Sequence, residues 1–303
     1  MKAAIHTVFN FVTGFFVCLF LLTQLSFDSL RSGTEEKIGE TRWHAPSLPD
    51  KINFAGEEVP LNKWDVRERL DRELLFNYYY QNNVLFMLKL SNRYFPIIEE
   101  RLKANGVPAD FKYLCIAESN LLANATSRAG AVGFWQFMPD TAPAYGLEVS
   151  KQVDTRRDII RATDAACKYL KTAYNKFGSW TAAAASYNCG QGGYSTQAGL
   201  QKTNNYYDLM LPEETNRYIF RILAFKHIVE NAKDLGFVLE EEELYQPVKT
   251  RNLIVTSTIS DLVQFAFDNG TNYKTLKLLN PWLRSNTLTV KPGMSYQVLL
   301  PAD

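Results

Sequence analysis

Histidine is scarce in this chain, with only three among 303 residues, at His6, His44 and His227. They lie far apart in the sequence, so no spacing is typical of a metal cluster or of a Cys/His catalytic pair. The glycine cluster at residues 190–193 lacks the lysine and the serine or threonine of a phosphate-binding loop. We therefore predict no metal site and no cofactor.

An excess of charge of either sign is also missing. The chain has 33 Lys and Arg residues against 32 Asp and Glu residues, a formal net charge of +1. Proteins that bind nucleic acid through bulk charge carry a clear basic excess. Nucleic acid is therefore not the expected partner, and recognition by shape and hydrogen bonds is.

Cysteine is limited to four residues, of which Cys18 lies in an apolar N-terminal segment. The remaining Cys115, Cys167 and Cys189 form an odd set, so at least one has no partner within the chain. Cys115 and Cys167 fall on apolar helix faces and are expected to be small buried hydrophobic residues. A bridge between Cys115 and Cys189 stays open.

The long apolar run of this sequence is at its N-terminus, where Lys2 precedes a mostly apolar stretch from Phe9 to Leu25. Such a segment is typical of an export signal. We expect an exported protein, either soluble after signal cleavage or attached to the membrane by this segment.

The remaining chain changes in character along its length. Helical periodicity with short loops predicts an all-α domain in the middle, and alternating patterns return only near the C-terminus. The fold class is therefore mostly α, with a small β-α-α-β C-terminal domain. The predicted segments are a signal peptide or N-terminal membrane anchor over 1–29, a tether or loosely docked extension over 30–61, a helical domain over 62–238, an acidic linker over 239–250 and the C-terminal domain over 251–303.

One glutamate of the helical domain lies in apolar surroundings. Helical steps back from Glu118 lead to Cys115, Leu114, Phe111 and Val107, so Glu118 is on the face that points to the core. Burial favours the neutral carboxyl and raises its pKa towards neutrality, which makes Glu118 a candidate general acid. The alternative is a glutamate at a helix end that reaches solvent or caps a backbone group.

Aromatic rings stand beside amide side chains at two places after Glu118. Trp135 and Gln136 follow a glycine-rich turn, and Tyr187 and Asn188 lie at a predicted helix end that opens into a loop over residues 188–193. Rings and amides together suit a sugar, whose faces stack and whose substituents need hydrogen bonds. Trp135 itself is expected to pack in the core.

Four segments resemble, in order, the motifs of lytic transglycosylases of glycoside hydrolase family 23. They are Ala117-Glu-Ser-Asn120, Gly130-Ala-Val-Gly-Phe-Trp-Gln-Phe-Met-Pro-Asp-Thr-Ala142, Ser186-Tyr-Asn-Cys-Gly190 and Glu214-Thr-Asn-Arg-Tyr-Ile219. The resemblance implies a lysozyme-like helical domain that acts on peptidoglycan glycan strands, and therefore a location in the periplasm of a bacterial cell. It also implies that Glu118 is the single catalytic acid/base, and that the groups binding substrate are Ser127, Gln136, Tyr187, Asn188 and Tyr218.

The implied reaction breaks the β-1,4 bond between N-acetylmuramic acid and N-acetylglucosamine and leaves 1,6-anhydro ends. Ordinary glycosidases need two carboxyl groups, whereas here only Asp140 is a nearby second candidate. In the implied route Tyr218 directs its hydroxyl at Glu118 or at the acetamido group of the substrate. Two alternatives stay open: a lysozyme-type hydrolase on the same fold, and a non-catalytic peptidoglycan-binding protein.

The C-terminal domain resembles a lysin motif, a glycan-binding module. The resemblance rests on Leu276-Lys-Leu-Leu-Asn-Pro281 and on the segment over residues 288–301. The Gly-Asp-Thr that usually opens the motif is replaced by residues 256–259, Thr-Ser-Thr-Ile. The fold is therefore better supported than glycan binding.

Overall fold

The computed structural model describes residues 44–302. The predicted signal peptide or membrane anchor over 1–29 lies outside the described residues, as does the first part of the tether. Among residues 44–302, no helix is long and apolar enough to cross a membrane.

The larger domain is built from α-helices, as predicted. In chain order they are α1 (Trp64–Tyr79), α2 (Gln81–Ala104), α3 (Phe111–Ser119), α4 (Ile159–Phe177), α5 (Trp180–Gln201) and α6 (Glu213–Glu230). Helix α6 packs against α1, α3 and α5, and α4 packs against α2 and α5. The core of this domain therefore surrounds α6, which brings the end of α3 next to it.

Local capping sets the boundary between α4 and α5. The Asp158 carboxylate accepts hydrogen bonds from the backbone N–H groups of Ile160 and Arg161, and α4 ends at Gly178 with a left-handed φ of 72°. Ser179 then accepts a hydrogen bond from a backbone N–H in the first turn of α5. These caps were predictable, because each satisfies a helix-end group that has no partner within the helix.

The loop predicted over residues 188–193 is wrong. Helix α5 is interrupted at Gly190 alone, where φ is 77° and ψ is 147°, and then continues to Gln201. The second half forms because Tyr194 and Ala198 are buried against the core. One glycine therefore makes a kink rather than a loop.

The prediction of a tether or loosely docked extension over 30–61 is wrong at its C-terminal end. Strands β1 (Asn53–Phe54) and β2 (Glu57–Glu58) form a short antiparallel hairpin. Phe54 is buried, and its ring lies edge-on to that of Phe111 at a centroid distance of 5.1 Å. The Glu57 carboxylate accepts hydrogen bonds from the first two backbone N–H groups of α5, at 2.6 and 2.9 Å. The hairpin is part of the helical domain because it caps one helix and fills the core.

The C-terminal domain has the predicted β-α-α-β order. Its elements are β3 (Thr250–Val255), α7 (Leu262–Asp268), α8 (Tyr273–Leu279) and β4 (Tyr296–Pro301). The two strands are antiparallel, with Thr250 opposite Pro301 and Val255 opposite Tyr296. The domain has a hydrophobic core of its own.

Candidate active site

Glu118 lies in the last turn of α3, on the face predicted from the sequence. Phe111, Leu114 and Cys115 on that face are fully buried, and Glu118 itself is half-buried. Directly after the helix, Asn120 adopts a left-handed φ of 51°. Burial, the largest contribution, raises the pKa of Glu118 to about 7. Its carboxyl group can therefore both give up and accept a proton near neutral pH.

Helix α6 supplies the groups that act on Glu118. The buried Tyr218 hydroxyl donates a hydrogen bond to Oε1 of Glu118, which lowers the pKa of Glu118 and partly opposes the effect of burial. The positive charge of Arg221 also lowers it, whereas the negative charge of Glu214 raises it. Two directions were predicted for the Tyr218 hydroxyl, towards Glu118 or towards the acetamido group. The structure shows the first, because the hydroxyl points at Glu118.

Glu214 influences the pKa of Glu118, although the only nearby second carboxyl expected from the sequence was Asp140. Asp140 is exposed. Glu214 is bound to Arg221 at 3.2 Å, and its side chain is 63% exposed. The helical spacing of Glu214, Tyr218 and Arg221 along α6 places all three on one helix face. That spacing could have indicated Glu214 from the sequence.

A glycine-rich loop, residues 123–139, is fastened to α3 beside Glu118. The Phe134 carbonyl accepts hydrogen bonds from the Ser119 hydroxyl at 2.8 Å and from the Cys115 thiol at 3.3 Å. Trp135 is fully buried, and its indole N–H donates to Oγ1 of Thr163 at 2.9 Å. Trp135 therefore packs in the core, as predicted, and the loop is held at the end of the helix that carries Glu118.

Gly133 is required by a close backbone approach. Its φ is 85°, and a Cβ atom at this position would lie 1.9 Å from the carbonyl oxygen of Arg156. Gly130 also has a left-handed φ, of 89°, but a Cβ atom there would meet no heavy atom within 4 Å. Both glycines use a backbone conformation that other residues rarely adopt, and only Gly133 also needs the space.

Sequence reasoning missed the two arginines that hold the glycine-rich loop from its other side. Arg156 is buried and donates from Nη1 to the carbonyl oxygens of Phe137 at 3.0 Å and Gly130 at 3.3 Å. Arg157 donates from Nη1 to Oδ1 of Asn124 at 2.8 Å. No local pattern marks this role, because the bonds join segments that are distant in the chain.

The predicted substrate-binding pair of α5, Tyr187 and Asn188, contacts the elements around Glu118. The Tyr187 hydroxyl donates to the Trp135 carbonyl at 2.8 Å, and the charge of Glu118 contributes, after burial, to raising the pKa of Tyr187. Oδ1 of Asn188 accepts a hydrogen bond from the Thr215 hydroxyl at 2.8 Å. Tyr187 thus braces the glycine-rich loop, and Asn188 links α5 to α6.

Ser127 and Gln136 make hydrogen bonds within the glycine-rich loop. The exposed Ser127 accepts from the Ala131 backbone N–H at 3.0 Å. The amide nitrogen of Gln136 donates to the carbonyl oxygens of Gly133 at 2.9 Å and Ala125 at 3.2 Å, and its own backbone has a left-handed φ of 48°. Both side chains shape the loop, and their contact with a sugar stays a prediction.

The three cysteines of the described residues are free. Cys115 and Cys167 are buried and Cys189 is half-buried, so the first two are small core residues as expected. The bridge left open between Cys115 and Cys189 is not formed. Cys189 instead directs its thiol at the Ala185 carbonyl of the preceding turn, at 3.5 Å.

The helical domain, with the half-buried carboxyl of Glu118 at a helix end beside a glycine-rich loop, is similar to a known class of domain. Residues 95–210 match the sequence profile described as Transglycosylase SLT domain. Residues 251–303 match the profile described as Soluble lytic transglycosylase C-terminal LysM-like domain. The chain therefore contains an SLT domain followed by a LysM-like domain, as its lysozyme-like and lysin-motif-like segments led us to expect.

Two curated relatives are both described as membrane-bound lytic murein transglycosylase D, from two Escherichia coli strains. Each is 30% identical over 199 residues, which is 63% of this chain and 43% of the relative. The chain thus aligns with less than half the length of these relatives. Among solved structures, an inactive mutant of the lytic transglycosylase Slt from Pseudomonas aeruginosa aligns at 21% identity and a TM-score of 0.38, over 50% of this chain and 26% of that one.

Proposed function

We propose that this protein is a peptidoglycan lytic transglycosylase with Glu118 as its single catalytic acid and base. The observation that carries the proposal is a carboxyl whose burial raises its pKa to about 7, in a domain that matches the SLT profile. The names of the two curated relatives support murein as the substrate. The bond broken is the β-1,4 link between N-acetylmuramic acid and N-acetylglucosamine.

The first step is proton donation to the leaving glycosidic oxygen. Because the Tyr218 hydroxyl already donates to Oε1 of Glu118, the proton of the neutral carboxyl resides on Oε2, the oxygen free to face substrate. The acetamido group of the substrate stabilises the positive charge that develops at the anomeric carbon. Protonation by Glu118 and breakage of the glycosidic bond are thereby coupled.

The second step uses the carboxylate left by the first. Glu118 takes the proton of the muramic acid 6-hydroxyl, whose oxygen attacks the anomeric carbon and closes a 1,6-anhydro ring. Glu118 is neutral again, and water is not consumed. The hydrogen bond from Tyr218 and the charge of Arg221 stabilise the carboxylate between the two steps.

The remaining residues expected to bind substrate hold the elements around Glu118 in place. Tyr187 and Gln136 fix the glycine-rich loop through its carbonyl groups, and Asn188 joins α5 to α6. Ser127 is exposed and Gln136 is half-buried on that loop. We assign the hydroxyl and acetamido substituents of the sugar as their ligands.

A substrate of this kind places the protein in the cell envelope of a bacterium. The relatives named as membrane-bound support that location, and the apolar N-terminal run of the sequence supports export. Glycan strands are the assigned partner, and attachment to the membrane through residues 1–29 belongs to the same proposal.

The test compares the parent protein with Glu118→Gln on purified sacculi. The parent is expected to release soluble muropeptides, and the variant is expected to bind sacculi without releasing them. Sacculus binding measured by co-sedimentation is the control for folding. Digestion by the variant at the parent rate would show that Glu118 is not the acid.

A further inference from the structure

The C-terminal domain is attached to one segment of the helical domain, residues 148–154. Val153 forms an antiparallel bridge with Leu283 and is buried in the core of the C-terminal domain rather than in that of its own domain. The Asp154 backbone N–H donates to the Trp282 carbonyl at 2.9 Å, and the Arg284 N–H donates to the Gln152 carbonyl at 2.7 Å. This interdomain segment therefore belongs structurally to both domains.

Side chains strengthen the same contact. Nε2 of Gln152 donates to the Thr287 hydroxyl at 2.9 Å, and its Oε1 accepts from the Thr289 backbone N–H at 3.1 Å. The Tyr296 hydroxyl donates to Oε2 of Glu148 at 2.8 Å. Together with the backbone hydrogen bonds, these side-chain hydrogen bonds fix one orientation of the C-terminal domain rather than a set of orientations.

The aromatic pair of the C-terminal domain is covered by the helical domain. Trp282 and Tyr296 stack with centroids 5.6 Å apart, and both are buried, at 2% and 6% exposure. The Arg161 guanidinium of α4 lies over them, 5.2 Å and 5.9 Å from the two ring centroids. Stacked rings of this kind would suit a sugar face if they were exposed, but here they form the interface.

The interdomain segment leads directly to the glycine-rich loop. The Asp154 carboxylate holds the buried Arg156 guanidinium through two hydrogen bonds of 2.8 and 2.9 Å. Arg156 in turn donates to the carbonyl oxygens of Phe137 and Gly130. Asp154, whose backbone N–H is bonded to Trp282 of the C-terminal domain, therefore positions the loop through Arg156.

The loop completes the path to Glu118. The Phe134 carbonyl is bound by Ser119 and Cys115 of α3, and Ser119 is the residue after Glu118. A displacement of the loop therefore acts on the end of the helix that carries the acid. Misplacement of a catalytic group by about 1 Å can cost about 10²-fold in rate.

We infer that the C-terminal domain is a positioning element of the active site, which acts through Gln152, Asp154 and Arg156 on the glycine-rich loop. It is not an independently oriented glycan-binding module. This inference rests on the proposed function for its kinetic consequence, whereas its structural part does not depend on the substrate.

The test weakens the interface from both sides in the full-length protein, with two single variants and the double variant that combines them. Gln152→Ala removes the hydrogen bonds to Thr287 and Thr289, and Tyr296→Phe keeps the ring on Trp282 but removes the bond to Glu148. The matched control is Gln264→Ala on α7, whose exposed side chain bonds to Asp268 within the C-terminal domain. Tyr296→Phe alone is the mildest variant, so the test still applies if the double variant fails to fold.

Two readouts are expected to move together. Hydrogen exchange should accelerate at the loop amides of Val132 and Gly133, which bond within the loop to the carbonyl groups of Phe137 and Ala125. The kcat for muropeptide release should fall by about tenfold or more in the double variant, with sacculus binding unchanged. The Gln264→Ala control should change neither.

Other outcomes overturn the inference. If the interface variants lose sacculus binding while kcat at saturating substrate and loop exchange stay at the parent values, the domain is a glycan binder. If loop exchange and kcat are both unchanged with binding intact, the interface does not position the loop. A parent protein that releases no muropeptides would instead refute the proposed function, and the exchange measurement would still test the structural link.

Discussion

The buried carboxyl of Glu118 should cost the protein stability at neutral pH. Its pKa lies at about 7 in the folded protein against an ordinary value of 4.5, so the folded state binds this proton more tightly than the unfolded state does. The contribution of Glu118 to stability is therefore greatest below pH 4.5 and is lost as the pH rises from 4.5 to about 7. At about 1.4 kcal/mol for each pKa unit, the ionised carboxyl costs about 3 kcal/mol.

Replacement by glutamine should remove this cost. The glutamine of Glu118→Gln cannot ionise, and its amide oxygen can still accept the hydrogen bond from Tyr218. Relative to the parent, the variant should gain about 3 kcal/mol between about pH 4 and about pH 8, while losing activity. Such a gain is the expected sign of a strained active-site group.

Urea unfolding followed by circular dichroism at both pH values measures the difference. Glu58→Gln, which removes an exposed carboxyl of β2, is the control for a change in net charge. An equal stability difference between parent and Glu118→Gln at the two pH values would refute the view that burial holds the proton on Glu118.

Three further predictions concern groups around the site. Tyr218→Phe removes a bond that favours the carboxylate, so the pKa of Glu118 read from the pH dependence of kcat/KM should rise by about 1–2 pH units; an unshifted profile would separate Tyr218 from proton transfer. Glu214→Gln should shift that pKa downwards, because the negative charge raises it, and should retain activity; loss of all activity at every pH would mean that a second carboxyl takes part in the chemistry. Gly133→Ala should destabilise the protein by about 3 kcal/mol or more, because its Cβ would overlap a backbone carbonyl. Gly130→Ala should cost only about 1–2 kcal/mol, because only its left-handed φ is unfavourable for alanine. Equal melting temperatures for the two variants would contradict the close approach at Gly133.

Much of the fold could be predicted because it depends on local patterns. The helical steps before Glu118 defined its face, and Asp158 and Ser179 satisfy helix-end groups that are adjacent in the chain. The hairpin containing Phe54 was missed because its strands are two residues long, too short for an alternating pattern. The kink at Gly190 was mistaken for a loop, because burial of the residues after it was not visible in the sequence.

The candidate site was predictable only in part, for the same reason. Motifs named Glu118 and Tyr218, whose side chains are joined by a hydrogen bond in the structure. Tyr218 lies beyond the matched SLT profile, which ends at residue 210. Arg156 was not found, since its bonds to Gly130 and Phe137 depend on how distant segments pack. The raised pKa of Glu118 follows from the same packing, and the sequence could indicate its direction but not its size.

The contact between the two domains was the least predictable feature. Val153 looks like an ordinary apolar residue of a loop, yet it is buried in the core of a domain that begins about a hundred residues later. Such pairings are set by the docking of complete domains. A sequence pattern that identifies each domain separately does not contain them.

The nature of the nucleophile tests the central claim most directly. Sacculi digested by the parent protein in water enriched in a heavy oxygen isotope should give muropeptides with 1,6-anhydro ends and no heavy oxygen, as read by mass spectrometry. The same products should be absent with Glu118→Gln. Reducing ends that carry heavy oxygen, in place of anhydro ends, would show that water attacks the anomeric carbon, and the protein would then be a hydrolase.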